Sequence, residues 1–166
     1  MGRLSGAVGA VLFALVLPVA AQDAGPDPLV HRIARDGLVQ HLDFDEATRL
    51  AAGPIWAQAS AEQRKRLVAE FGTMLVRLYL NAIKLYPGQN LRALPSRGEG
   101  VVRAQLSGPG GQAVPVDFHV RNGKVYDINV DGVSLVRAYR ADFDAAVKQG
   151  GIDGLIKRLA EKNAKT

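Results

Sequence analysis

The stretch that most constrains this chain is Gly123 to Phe143, GKVYDINVDGVSLVRAYRADF. Its first half alternates, with Val125, Asp127, Asn129 and Asp131 on one side of an extended chain and Tyr126, Ile128 and Val130 on the other. That period of two marks a half-buried strand, and the apolar side is the one that covers a core. Asp131-Gly132 breaks the alternation. Ser134 then stands where a helix N-cap belongs, and Leu135, Val136, Tyr139 and Phe143 recur at helical spacing. The segment predicts strand, tight corner and amphipathic helix.

Such a strand needs neighbours, and the preceding residues supply them. Val102, Ala104 and Leu106 alternate with Arg103 and Gln105, GPGG at 108–111 turns the chain, and Val116, Phe118 and Val120 alternate with Asp117, His119 and Arg121. Asn122-Gly123 is a strong hairpin signal. With a short strand near Leu91 to Leu94, the expectation is a four-stranded antiparallel meander, apolar on one face. Helices must lie on that face.

Several segments can provide them. Ser60 and Gln63 form a capping box ahead of Leu67, Phe71, Met74, Leu75, Leu78, Tyr79 and Ile83, and Pro87-Gly88 ends the run. A helix from Ala61 to Leu85 would be roughly 38 Å long, enough to cross a domain. Asp43 and Glu46 make a second capping box for a short helix ending at Gly53, and Leu29 to Leu42, with Gly37 inside it, suggests a modest helix or two. After Gly150, Ile152 and Asp153 open a last amphipathic helix through Leu155, Ile156 and Leu159. The fold class is α+β: a curved four-stranded antiparallel sheet backed on one face by amphipathic helices, in a single domain spanning 29–166. Whether those apolar faces interlock or stand apart around a slot is open, because binary patterning serves both.

The N-terminus reads as an export signal. Arg3 precedes an apolar stretch from Ala7 to Val19, and Val19-Ala20-Ala21 offers small residues for cleavage after Ala21, with residues 22–28 as an unstructured leader. The apolar stretch falls short of the roughly 20 residues that cross a bilayer. A net charge of +5 would permit contact with nucleic acid, but the Lys and Arg residues are interspersed with acids, and the run Arg64 to Arg66 reads as a solvated helix face; no nucleic-acid partner is expected. The chain has no cysteine, so its core must hold it without disulfides.

Little here suggests chemistry. Ser134 lacks the glycine two residues later that a nucleophile elbow needs, since Val136 is there. His119 shares a strand face with polar residues. Asp127 and Asp131 would sit about 13 Å apart, too far for an acid and base pair. His41, Asp43 and Asp45 resemble metal spacing, but the cap explains Asp43 better, and no metal is expected. A small cone-shaped isomerase or dehydratase would find phenols in Tyr126, Tyr139 and Tyr79, yet the required buried carboxylate is missing from the pattern, because the acids face outward or sit in caps. A non-catalytic interaction module with a solid core needs no pocket at all.

The run KVYDINVDGVSLVRAYRADF, continued by QGGIDGLIKRLAEKN, resembles the C-terminal signature of the MlaC family, the periplasmic phospholipid-binding proteins also called toluene-tolerance proteins. WAQASAEQRKRLVAEFGTMLVRLYLNAI resembles the family's earlier segment, in which a Trp and an Ala-Ser pair lead into a Gln-Arg helix ending in Tyr. The resemblance implies an apolar pocket rather than a solid core, a bound phospholipid rather than a cofactor, and no catalysis. It implies a monomeric periplasmic carrier working between an inner-membrane MCE-domain protein of an ABC transporter complex and an outer-membrane lipoprotein complex. Under it, the inward faces given by parity and period become the lipid-binding residues: Leu75, Leu78, Tyr79, Val102, Phe118, Val120, Tyr126, Ile128, Val130, Tyr139 and Phe143. Family members usually carry a Trp before the Lys-Val-Tyr-Asp strand and a longer helical region before HLDFD. Their absence here implies a smaller slot or an altered mouth, suited to a single-tailed lipid or a hopanoid.

Overall fold

The computed structural model describes residues 27–85, 88–96 and 98–165. The signal segment 1–21, most of the leader and the Pro87 stop lie outside the described residues. Asp27 accepts a 2.8 Å hydrogen bond from the Leu29 amide, and Pro28, expected in the leader, opens helix α1, Pro28–Asp36. Gly37, at φ 85°, releases the chain into a 3-10 turn, Leu38–His41.

Helix α2, Phe44–Ala52, begins where Asp43 Oδ1 accepts from the Glu46 amide at 3.0 Å. The other half of the expected capping box is not made: the Glu46 carboxylate turns away from the Asp43 amide and receives Arg49 and, from the sheet, Arg121 at 2.8 Å. The Asp43 amide donates to the Val125 carbonyl at 2.7 Å, which fixes the start of α2 against the sheet. A short α3, Pro54–Gln58, leads to α4, Ala61–Leu85. Both halves of its capping box are made, Ser60 Oγ taking the Gln63 amide and Gln63 Oε1 taking the Ser60 amide.

The sheet has five antiparallel strands rather than four, in the order of the chain: β1, Asn90–Ala93; β2, Val101–Ser107; β3, Ala113–Arg121; β4, Lys124–Val130; and β5, Val133–Ser134. The extra strand corrects the reading of Asp131-Gly132 as a plain corner. Asn122 and Gly123 have φ 51° and 75°, and Asp131 and Gly132 have φ 50° and 80°, so both pairs take the positive φ at two successive residues that a tight hairpin requires. The second hairpin pairs Asn129 with Ser134 and Val130 with Val133.

A bulge also revises the alternation along β4. Val120 pairs with Val125 but His119 pairs with Asp127, which leaves Tyr126 as the extra residue. Val125 is therefore fully buried with the apolar face instead of sharing the side of Asp127, and the Tyr126 ring lies 6.1 Å from His119 and 5.3 Å from the Arg121 guanidinium. Beyond the bulge, Ile128 and Val130 pair with Phe118 and Val116 as the parity expected.

After β5, Ser134 Oγ accepts from the Arg137 amide at 3.0 Å and starts a 3-10 turn, Arg137–Tyr139, that runs into α5, Arg140–Ala164. Gly150 and Gly151 leave helical geometry, so α5 is two helices across a kink, as the glycines predicted. No helix among the described residues is long and apolar enough to cross a membrane.

Candidate functional site

The apolar residues do not make one core. One cluster is helical and joins α2, α3, α4 and α5 around Leu67, Phe71, Phe143, Leu155 and Ile156, with Phe71 edge-on to Phe143 at 5.1 Å and to Tyr139 at 5.4 Å. The other packs Leu29, Val30 and Ile33 of α1 and Leu38 against Val102, Ala104, Val116, Phe118 and Val125 of the sheet. Between them lies a cavity of about 960 Å³. That volume stands at the upper end of ligand pockets, which run from about 300 to 1,000 Å³.

Each wall follows from local structure. The i, i+3, i+4 spacing of one helix face presents Leu75, Leu78 and Tyr79 of α4 together. Phe118, Val116, Ile128 and Val130 come from facing positions of β3 and β4, and Leu135, Val136 and Tyr139 from the turn after β5. The 3-10 turn is held over the cavity by Tyr79, whose Oη accepts from the Leu38 amide at 3.2 Å. Leu78 and Leu135, 46% and 44% exposed, stand at the mouth with Gln89 and Asn90.

Of the residues read as inward-facing, the fold brings Leu75, Leu78, Tyr79, Phe118, Tyr126, Ile128, Val130 and Tyr139 to this cavity. The remaining three are placed elsewhere. Phe143 is buried in the helical cluster against Phe71, Val102 is buried in the sheet cluster, and Val120 packs against that same cluster. Parity says that a residue faces inward; it does not say whether another element then covers it. Missed were Ile33, Leu38 and Leu42, Phe44 and Ala47, and Leu135 and Val136. Ile33, Leu38 and Leu42 belong to an apolar recurrence that is uneven around Gly37, and nothing within such a segment tells which other element it meets.

The cavity is poor in reactive groups. Among the described residues, no Lys, Arg or His borders it, and Asp127 is the one carboxylate that does. Burial pushes the Tyr139 phenol above its usual range, and the nearby Asp142 adds to the effect, so the hydroxyl stays neutral. Asp127 corrects the expectation that every acid faces outward or sits in a cap, for it is 4% exposed. Its Oδ2 accepts from the Ser134 hydroxyl at 2.6 Å, and its Oδ1 accepts from the Ile128 amide at 2.8 Å and the Val136 amide at 3.3 Å. Those donors satisfy the carboxylate within its own hairpin and make it a structural clasp. Among the described residues, no group of three or more His, Cys, Asp or Glu is placed to hold a metal ion.

The comparisons with known proteins agree with this geometry. The family described as MlaC protein matches residues 14–161. The chain is 25% identical over 141 residues to the intermembrane phospholipid transport system binding protein MlaC of Haemophilus influenzae, covering 78% of this chain and 66% of that protein. It is 27% identical over 104 residues to toluene tolerance protein ttg2D of Pseudomonas putida, covering 58% of this chain and 48% of that one. The chain thus spans about two thirds of the length of the first relative and about half of the second. Among solved structures it is similar to the phospholipid-binding protein of Ralstonia solanacearum in complex with a phospholipid, with a TM-score of 0.67, 32% identity, and 82% of this chain and 81% of that chain covered. With the match extending over most of its length, the chain belongs to the MlaC protein family.

Proposed function

We propose that this chain is a lipid carrier that takes the acyl chains of a phospholipid into the cavity between its two apolar clusters. The observation that carries this reading is the cavity itself: about 960 Å³, walled by aliphatic and aromatic side chains, with exposed leucines at its mouth. An open slot without a guest leaves its apolar walls facing water, at about 25 cal/mol for each Å² so exposed, and an apolar occupant removes that cost. The phospholipid held by the similar Ralstonia protein supports the choice of occupant.

The carrier reading also has an energetic logic. At about 0.8 kcal/mol per methylene, a two-tailed lipid with around thirty of them resists entering water by on the order of 25 kcal/mol. Moving the tails from bilayer to slot exchanges one apolar surrounding for another, so transfer is nearly neutral and its direction falls to partners. We place the chain in the periplasm, exported by its N-terminal signal, shuttling lipid as a monomer between an inner-membrane MCE-domain protein of an ABC transporter complex and an outer-membrane lipoprotein complex. The cavity's size favours a two-tailed phospholipid over a single-tailed lipid, and a hopanoid remains the other apolar guest to look for.

A catalytic role finds less support. Tyr79 and Tyr139 border the cavity and Asp127 is the buried carboxylate an isomerase would use, but its oxygens are taken by Ser134, Ile128 and Val136. Native mass spectrometry of the chain purified from cells, followed by solvent extraction, tests the proposal. One phospholipid per chain is expected. Chain that emerges lipid-free and takes no lipid from vesicles overturns it, and turnover of a dienone would establish the isomerase reading instead.

A further inference from the structure

Among the described residues, four large apolar side chains stand well out of the surface: Leu78, Leu80, Leu135 and Val133, the last 60% exposed. Three of them gather at one place. Leu78 and Leu135 border the cavity mouth, and Val133 pairs directly with Val130, a wall residue, so those two side chains share a face of the sheet. Ala82, one turn beyond Leu78, and Ala138 also border the cavity and are exposed. Leu80 is the exception, since two steps along a helix turn its side chain about 200° away from Leu78. The mouth thus has an apolar lip supplied by α4, β5 and the turn after β5. An exposed apolar patch of this kind marks a surface that meets a partner.

The charge around the lip has one dominant sign. From residue 71 to residue 96 the chain holds Arg77, Lys84 and Arg92 and no acid, and between Asp131 and Asp142 it holds Arg137 and Arg140 and no acid. Arg77 and Arg140 are tied to the carbonyls of Asn163 and Leu50, but Lys84, Arg92 and Arg137 are exposed. These three sit on α4, β1 and the 3-10 turn, elements that also supply Leu78, Asn90 and Ala138 to the mouth. Arg137 lies within the lip, between Val136 and Ala138 in sequence. Asp131 and Asp142, at the ends of the second stretch, offset part of this charge. An apolar lip with cations spread over three elements suits a partner that is greasy inside and diffusely anionic at its surface, which describes a bilayer.

We propose that this lip is a bilayer-docking surface, on which the chain settles mouth down against an anionic membrane with Leu78, Val133 and Leu135 dipping toward the acyl region. Lipid tails then pass between bilayer and slot without crossing water. The inference deepens the carrier reading above and rests on it for what moves through the mouth.

The chain has no cysteine, so Val133→Cys and Leu80→Cys each give a single site for an environment-sensitive nitrobenzoxadiazole dye. With vesicles of equal parts phosphatidylcholine and phosphatidylglycerol, the dye at 133 should brighten and shift to the blue, and the dye at 80 should not. Vesicles of phosphatidylcholine alone should bind more weakly, by about fivefold for each cation that faces the surface. Flotation of unlabelled variants gives the second readout, with circular dichroism verifying that each is folded. Val133→Asp should weaken vesicle binding about tenfold and Arg137→Gln about fivefold, while Leu80→Asp leaves it unchanged. Absence of binding to either vesicle, an equal response of the two dyes, or equal damage from Leu80→Asp and Val133→Asp overturns the docking surface; chain that still carries lipid in those cases keeps the carrier reading and assigns the lip to a protein partner. A dimer in sedimentation that Val133→Asp dissolves assigns the lip to a second copy and equally overturns the proposal. Chain that docks on vesicles yet takes up no lipid by mass spectrometry overturns the carrier reading alone.

Discussion

The Ser134 hydroxyl donates to Asp127 Oδ2 at 2.6 Å, and this bond ties the end of β5 to the middle of β4. Asp127 Oδ1 also holds the Val136 amide, the last step before the turn that carries Tyr139 to the cavity. Asp127→Ala removes the acceptor for both groups and leaves a buried amide unpaired. It should lower stability by about 2–4 kcal/mol, whereas Ser134→Ala, which keeps the Val136 contact, should lose about 1–2 kcal/mol. Urea unfolding of the two variants checks the order; equal losses would mean that the carboxylate does not act as the clasp.

Ile128 and Phe143 were both read as inward-facing, and the fold gives them opposite environments. Ile128 borders the cavity and is half-buried; Phe143 is 2% exposed in the helical cluster. Ile128→Asp should keep the fold and reduce lipid loading at least tenfold, since a charge on the slot wall opposes acyl chains by several kcal/mol. Phe143→Ala should instead lose about 3–5 kcal/mol of stability, with the folded fraction still loading lipid. Loading measured beside thermal unfolding separates the effects, and a Phe143 variant that is stable but unloaded would move that residue to the slot.

These two pairs show where the sequence was legible. The Ala61–Leu85 helix, its Ser60 cap and the hairpin at Asn122-Gly123 follow from interactions a few residues apart, and they appear where the pattern put them. Asp131-Gly132 carries the same turn chemistry, but Ser134 also suits a helix cap and drew the reading away from a fifth strand. The bulge at Tyr126 has no local signature, because it arises only when β3 and β4 are laid side by side. The division of the apolar residues into two clusters is less visible still. It depends on where α1 and α4 settle over the sheet, and periodicity records a buried face without recording what lies opposite.

Occupancy should be readable in stability. A ligand that binds the folded chain alone and is present at about 100 times its dissociation constant adds about 2.7 kcal/mol, which for a chain of this size raises Tm by roughly 5–10 °C. Delipidated chain should therefore melt lower than the loaded form, and vesicles of matching lipid should restore the difference. An unchanged Tm on solvent extraction, with lipid loss verified, would mean that the cavity closes on itself when empty.

Glycines at three sites separate backbone strain from steric conflict. Gly53, between α2 and α3, holds φ 54° and ψ −128°, a combination that side chains avoid, and an added Cβ would lie 2.9 Å from Arg140 Nε. That guanidinium is not free to retreat, because its Nη2 donates to the Leu50 carbonyl at the end of α2 at 2.5 Å. Gly37 shares the positive φ but has open space around it, and Gly110 has open space and no positive φ. Substitution by alanine should thus cost about 1–3 kcal/mol at Gly37 from strain alone, more at Gly53, and under about 0.5 kcal/mol at Gly110. Chemical denaturation of the three variants gives the ranking. If Gly53→Ala proved no worse than Gly37→Ala, the Arg140 contact with the end of α2 would be too weak to hold α5 against α2.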